Sequence, residues 1–191
     1  MRKLRPMDLT SFTVETERLL LRVVDPGDAV PLAGLMTPGI SRWVAAWPYP
    51  LPVPVVDGMI SDAIAAAVEG RTLPMVITTK EDRRIVGWIK LDRGEAASPT
   101  AELGYWIGEE AQGKGFAYEA AAAVIDAGFD RLNVQAVEAG AQPSNAASHR
   151  LLRKLGMHEI GERCVFAPAR QRYGICQFWR IERPTRAGQP A

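Results

Sequence analysis

Residues 101–130 constrain the fold of this chain more than any other stretch. Ala101-Glu102-Leu103-Gly104-Tyr105-Trp106-Ile107 has the apolar and aromatic content of a strand. Residues 114–130 place Ala117, Ala120, Ala121, Val124, Ile125, Gly128 and Phe129 at helical spacing. Between them lies Gln112-Gly113-Lys114-Gly115-Phe116-Ala117. A helix start normally takes Ser, Thr, Asp or Asn to cap its free N–H groups, and none stands here. Two glycines instead let the backbone turn tightly and present successive N–H groups. Such a start attracts an anion, because the N–H groups and the helix dipole point the same way. The guest this chemistry favours is a phosphate or pyrophosphate. A simple tight turn is the alternative reading. The segment lacks the GxxxxGK[ST] of a P-loop, and Tyr118 stands where GxGxxG requires its last glycine.

The flanking chain supplies a mixed α+β pattern. Residues 17–24 read as a first strand, and a short helix follows near Pro26 or Asp28. Residues 41–54 hold Trp43, Trp47 and Tyr49 among Pro48, Pro50, Pro52 and Pro54, a proline density that forbids a regular helix or central strand. A loop so rich in aromatics is either a binding wall or a cap on the core. A helix is expected over 55–69, ended by Gly70. Strands follow at 73–79, 84–91 and 101–107, then the helix over 114–130, a strand at 134–140 and a helix over 144–155 closed by Gly156. A hairpin of 157–165 and 172–181 ends the domain. The expected fold is α+β, αβα layered: a mixed, mostly antiparallel sheet with helices on both faces. The expected domain plan is a loose arm over 1–13, one domain over 14–182 and a disordered tail over 183–191.

Composition narrows the function. With 191 residues, a single domain with a real core is expected. Lys plus Arg is 23 against 22 Asp plus Glu, so the chain has neither the basic excess of a nucleic-acid binder nor a polybasic membrane device. Cys164 and Cys176 are the only cysteines and His149 and His158 the only histidines; no CxxC or HExxH spacing occurs, so no metal site and no disulfide framework are expected. The two cysteines flank a turn and read as buried free thiols, and both histidines read as surface residues. Trp88 and Trp179 read as core. No apolar run reaches membrane length and none follows Arg2, Lys3 and Arg5, so a cytoplasmic protein is expected.

Several motifs fall in a specific order. They are Glu15-Thr16-Glu17-Arg18-Leu19-Leu20-Leu21-Arg22, Glu102-Leu103-Gly104-Tyr105-Trp106-Ile107, Gln112 to Ala117, Tyr118-Glu119-Ala120, Asn145-Ala146-Ala147-Ser148 and Leu152-Arg153-Lys154-Leu155-Gly156-Met157. With them the chain resembles the GNAT superfamily of acetyl-CoA-dependent N-acetyltransferases over residues 15–181. It looks most like the branch that includes the bacterial ribosomal-protein alanine and serine N-acetyltransferases. The resemblance implies that Gln112, Gly113, Lys114, Gly115, Phe116 and Ala117 hold the coenzyme A pyrophosphate. It implies that the strand of Tyr105, Trp106 and Ile107 pairs with the pantetheine arm, splaying from its neighbour to admit it. A backbone N–H there also polarises the acetyl carbonyl.

The chemistry needs a neutral amine, a base and an acid for the leaving group. Glu102 is the candidate base; the alternative is an exposed or Arg-paired strand carboxylate. Glu119 is a second candidate, placed toward substrate, or else an ordinary dipole-complementing helix acid. In the resembled branch Asn145 binds the coenzyme and Ser148 hydrogen-bonds or protonates the departing thiolate; alternatively Ser144 or Asn145 is only a helix cap. The commoner pattern puts a tyrosine acid four residues past Ser148, where this chain has Leu152. The expected acceptor is an amine, of a protein N-terminus or a small molecule, bound with help from Trp43, Trp47 and Tyr49. A monomer or homodimer is expected. An acyl-CoA-binding module without turnover is the alternative.

Overall fold

The computed structural model describes residues 9, 11–94 and 98–184. It comprises β1 (Thr13–Glu15), β2 (Leu19–Val23), α1 (Ala29–Leu35), α2 (Pro38–Ser41), α3 (Val53–Val68), β3 (Thr72–Thr79), β4 (Ile85–Asp92) and β5 (Thr100–Ile107). After these come α4 (Phe116–Arg131), β6 (Ala136–Ala141), α5 (Ala146–Lys154), β7 (His158–Ala167) and β8 (Arg172–Glu182). The strands form one sheet in the order β1-β2-β3-β4-β5-β6-β8-β7. Only β5 and β6 run parallel. A parallel pair needs a crossover, and α4 supplies it.

Helices cover both faces, as expected. Under α4 and α5 lie Leu21, Ile77, Leu91, Leu103, Ala120, Val124, Phe129 and Leu152. On the opposite face α1 and α3 bury Leu32, Val56 and Ile60 against Val76, Trp88 and Trp106. The period-2 alternation of β5 decides which residue serves which core. Tyr105 and Ile107 face α4, whereas Trp106 faces α3.

The differences from the sequence expectation have local causes. Helix α3 begins at Val53 because Pro54 sits in the first turn, where a missing N–H costs nothing. Helix α2 is a single turn capped by the Thr37 side chain, too short to show periodicity. The expected N-terminal arm falls mostly outside the described residues. Its described end is engaged: Leu9 is buried in the α4 core, and Thr13 already pairs with Arg22 of β2. Residues 185–191 of the expected tail lie outside the described residues. Arg183 is fixed, its N–H bonded to the Gln135 carbonyl and its guanidinium to Asp130.

Cys164 is exposed rather than buried, and Cys176 is half-buried. Cys164 stands opposite Ile175 and Cys176 opposite Arg163. This register sends the two thiols to opposite faces of the hairpin. Among the described residues no helix is long and apolar enough to cross a membrane, and no group of three His, Cys, Asp or Glu is placed to hold a metal.

Candidate active site

Strands β5 and β6 pair only at Thr100–Ala136, Ala101–Val137 and Glu102–Glu138. Beyond that point they separate, and a cleft of about 1100 Å³ fills the gap. Past Glu102 the edge of β5 that faces β6 carries no ladder partner. An extended ligand bearing amides is the natural occupant of such an edge.

One lobe of the cleft lies on the α4–α5 face. Gly113 (φ +75°) and Gly115 (φ +84°) both adopt the left-handed conformation that favours glycine, and no side chain caps α4. Their backbone, with Gln112, Phe116 and Ala117, lines the cleft. Gln112 Nε2 donates to the Ile107 carbonyl at 2.9 Å and so ties the loop to the end of β5. Lys114 is exposed and lies outside the lining. Arg150 and Lys154 of α5 do line it, with the Lys154 ammonium 4.1 Å from the Tyr118 ring. Their four-residue spacing, which puts both on one face of α5, was the available sequence signal.

Glu119 lies outside the cleft lining. Its carboxylate accepts from Thr16 Oγ1 (2.5 Å), the Arg18 backbone N–H (2.8 Å) and Arg18 Nε (2.8 Å). Burial alone would raise its pKa, but these partners outweigh it and hold the group below its ordinary value. Arg18 also donates to the Lys114 carbonyl at 2.9 Å and stacks on Phe116. The pair therefore clamps the glycine loop and the first turn of α4 to the β1–β2 turn.

Asn145 caps α5, its Oδ1 accepting from the Ser148 N–H at 3.2 Å. Both residues line the cleft. Ser148 Oγ accepts a hydrogen bond from the Tyr105 hydroxyl at 3.0 Å. Burial pushes the Tyr105 phenol above its ordinary pKa, and the bond to Ser148 offsets part of the rise. Leu152 is 1% exposed and belongs to the core. The position is thus filled by packing, while a tyrosine from β5 reaches the serine instead. No linear motif relates residues 43 apart, so sequence reasoning missed this pairing.

The second lobe lies on the α3 face. Trp47 packs edge-on against Trp88 (5.3 Å between ring centroids) and Trp106 (5.1 Å). The three rings are almost fully buried, yet all line the cleft, so Trp47 is both core and wall. The buried Trp106 Nε1 has no acceptor among the described residues. Trp43 is half-buried and lines the cleft, with the Arg42 guanidinium 4.6 Å from its ring. Tyr49 is 54% exposed and outside the lining: it sits past Trp47, where the chain has turned to solvent.

Glu102 shares this face with Asp92 and Glu138, its neighbours in register. Asp92 is paired with Lys90 at 2.8 Å, and Glu138 with Arg163 (2.6 Å) and Arg180 (2.8 Å). Burial would raise Glu138, but the two guanidinium bonds outweigh it and hold it down. Glu102 is exposed at the cleft, and among the described residues no hydrogen bond or ion pair joins it to another group. Loss of surrounding water raises its pKa; Lys90 and Arg163 pull it back, and Asp92 and Glu138 add to the rise.

His149 is half-buried and hydrogen-bonded on both ring nitrogens rather than a free surface residue. Its Nε2 lies 3.0 Å from the Gln142 carbonyl and its Nδ1 3.2 Å from Trp179 Nε1. The carbonyl needs a donor and the indole an acceptor, which assigns a neutral ring with its proton on Nε2. His158 is exposed.

A sheet split at a parallel pair, with a capless glycine turn beside the gap, suits a ligand that joins an anionic group to an extended amide-bearing arm. The acetyltransferase (GNAT) domain model matches residues 18–158, and the chain belongs to this family. It is an acetyl-CoA-dependent N-acetyltransferase that transfers the acetyl group to an amine. Among relatives, it is 32% identical over 150 residues to the uncharacterized N-acetyltransferase p20 of Bacillus licheniformis, covering 78% of this chain and 84% of p20. Among solved structures, it is similar to the ribosomal-protein-S5-alanine acetyltransferase of Vibrio fischeri, with TM-score 0.79, 18% identity and coverage of 94% and 100% of the two chains. It is also similar to RimJ of Mycobacterium smegmatis, solved in complex with CoA-disulfide, with TM-score 0.77, 23% identity and coverage of 90% and 87%.

Proposed function

We propose that acetyl transfer proceeds directly within the β5–β6 gap, with the amine arriving from the α3 face and the coenzyme held on the α4–α5 face. The observation that carries this reading is the placement of two groups on opposite sides of one gap. Glu102 lies on one side, and the Tyr105–Ser148 pair on the other. A thioester lying between them meets a proton acceptor on its attacked side and a hydroxyl donor on its sulfur side.

An acceptor amine arrives mostly protonated near neutral pH and attacks only after losing that proton. Glu102 takes it, directly or through a water, because its raised pKa makes it a better base than an ordinary carboxylate. The amine nitrogen bonds the acetyl carbon, and the oxyanion is held by a backbone N–H of unpaired β5. The C–S bond then breaks. Ser148 already accepts from Tyr105, so its own O–H is free to donate to the departing sulfur. Glu102 gives its first proton to solvent and then takes the second from the nitrogen, while the thiolate, held by the Ser148 O–H, is protonated from solvent on release.

The Gly113–Ala117 turn and Asn145, with Arg150 and Lys154, form the coenzyme lobe; Trp43 and Trp47 form the acceptor lobe. Glu119 supports the turn. The V. fischeri protein is a ribosomal-protein alanine acetyltransferase by name, and a protein N-terminal amine is the acceptor class proposed here. The reaction is placed in the cytoplasm. The alternative, a coenzyme-binding module without turnover, loses its main support once Tyr105 is seen to stand behind Ser148.

The test is thiol release from acetyl-CoA with peptides bearing a free or blocked N-terminus, and mass spectrometry of the product. Acetylation at the free α-amine is expected. Tight acetyl-CoA binding with no thiol release for any amine would overturn the reading.

A further inference from the structure

Residues 41–47 cross the acceptor lobe as a strap, and their main-chain carbonyls are held from two other elements. Arg170, in the turn between β7 and β8, donates from Nη1 to the carbonyls of Ser41 (3.0 Å) and Val44 (2.7 Å). The Ala169 N–H donates to the Ala45 carbonyl at 2.9 Å. Gln142, between β6 and α5, donates from Nε2 to the Arg42 carbonyl at 2.8 Å. Within the strap the Val44 N–H donates to the Ser41 carbonyl at 3.3 Å, Ser41 Oγ donates to the Trp47 carbonyl, and the buried Trp47 ring anchors the far end in the core. The stretch between these anchors takes its remaining restraints from the β7–β8 turn and from Gln142.

The inner surface of the strap is apolar. Trp43, Val44 and Trp47 face the cleft opposite Trp88 and Trp106. Lys90, on the sheet, also lines the cleft and is paired with Asp92, and Glu102 is assigned to the amine; Arg170 and Gln142 line it from the flanking turns and Arg172 from β8. Against the strap itself such a wall offers a polyhydroxylated acceptor no hydrogen-bonding side chain, and the cations Arg170 and Arg172 that also line the cleft oppose a polycationic one.

We infer that Arg170 is a positioning residue that holds the 41–47 strap over the acceptor lobe, and that the strap selects an amine carried on an apolar or aromatic body. The inference rests on the transferase reading above and adds to it a specificity element. Arg170 acts through the strap and touches neither reacting atom.

The test compares wild type, Arg170→Ala and Arg170→Lys with acetyl-CoA and four acceptors: a peptide beginning with phenylalanine, one beginning with leucine, spermidine and an aminoglycoside. Lysine keeps the charge but lacks the planar fork of guanidinium. Wild type is expected to favour the apolar peptides in kcat/KM by at least about tenfold. In both variants the KM of those peptides is expected to rise about tenfold and the preference to collapse, with acetyl-CoA affinity within about twofold. Amide exchange over 41–47 should quicken. A general loss of stability would lower activity toward all four alike and leave the preference intact, which overturns the inference. Should Arg170→Ala not fold, Arg170→Lys and Trp43→Ala carry the comparison. Wild type without apolar preference, or variants with unchanged preference, overturn the inference and leave the transferase reading standing. Wild type that releases no thiol with any amine overturns both.

Discussion

Replacing Tyr105 by phenylalanine removes one oxygen and keeps the ring that packs beneath α4. The lost bond is the 3.0 Å donation to Ser148 Oγ. One such bond contributes about 1 kcal/mol to stability, and at this chain length that lowers the melting temperature by about 2–4 °C. The kinetic effect is worked separately. The buried phenol has its pKa raised above the ordinary value, so it remains a neutral donor across any useful assay range. Outright proton transfer to a thiolate would be uphill, because a phenol is ordinarily a weaker acid than a thiol and burial weakens this one further. Tyr105 therefore acts by polarising Ser148 rather than by surrendering its proton. Losing that polarisation is worth about 1 kcal/mol in the transition state, a fall of about fivefold in kcat. Ser148→Ala should cost more, about tenfold to a hundredfold, because it removes the donor itself. The double variant should match Ser148→Ala alone, since Tyr105 acts only through Ser148. Steady-state thiol release at saturating substrates measures kcat, and calorimetry checks that acetyl-CoA affinity holds within about twofold. Wild-type kcat in Tyr105→Phe, or a double variant that loses the full product of both factors, would refute the reasoning.

Glu102→Gln should abolish the rise of acceptor kcat/KM with pH through the elevated Glu102 pKa, leaving a low, flat limb; an unchanged profile would move the base elsewhere. The same variant should be at most slightly more heat-stable at neutral pH, because solvent at this exposed position screens the penalty. A carboxyl whose folded pKa is raised is penalised when ionised, so its destabilisation is absent below the unfolded pKa and complete above the folded one. Gly115→Glu should weaken acetyl-CoA binding at least about a hundredfold, because it puts a side chain at φ +84° and a negative charge at the anion turn; calorimetry would show it. Glu119→Ala should weaken acetyl-CoA binding while leaving the acceptor KM unchanged, as expected of a clamp on the turn; a selective rise in acceptor KM would restore it to the substrate side.

The parts legible in sequence were those governed by local chemistry. The β5–turn–α4 segment announced itself because missing caps and paired glycines act over a few residues. Asn145 and Ser148 were legible because one helix turn relates them. The clamp role of Glu119 was not legible because its partners, Thr16 and Arg18, are about a hundred residues away and joined to it only by folding. Trp43, Trp47 and Tyr49 looked equivalent in a proline-rich run, yet only the first two turn inward. His149 looked like a surface residue because its partners, Gln142 and Trp179, lie on other elements. Arg170 carried no sequence signal at all: a guanidinium that binds backbone carbonyls leaves no mark on the residues it binds.

The three residue pairs that join β5 to β6 are also the only ladder between two halves of the sheet. Strands β1–β5 stand on one side, and β6–β8 on the other. A seam so short is where partial opening costs least. A ligand lying along it acts as the missing rung and pulls both halves into one cooperative unit. At a ligand concentration a hundred times its Kd, that adds about 2.7 kcal/mol against unfolding. Stability is thereby linked to occupancy of the seam, so melting temperature and protease resistance should rise together as acetyl-CoA is added.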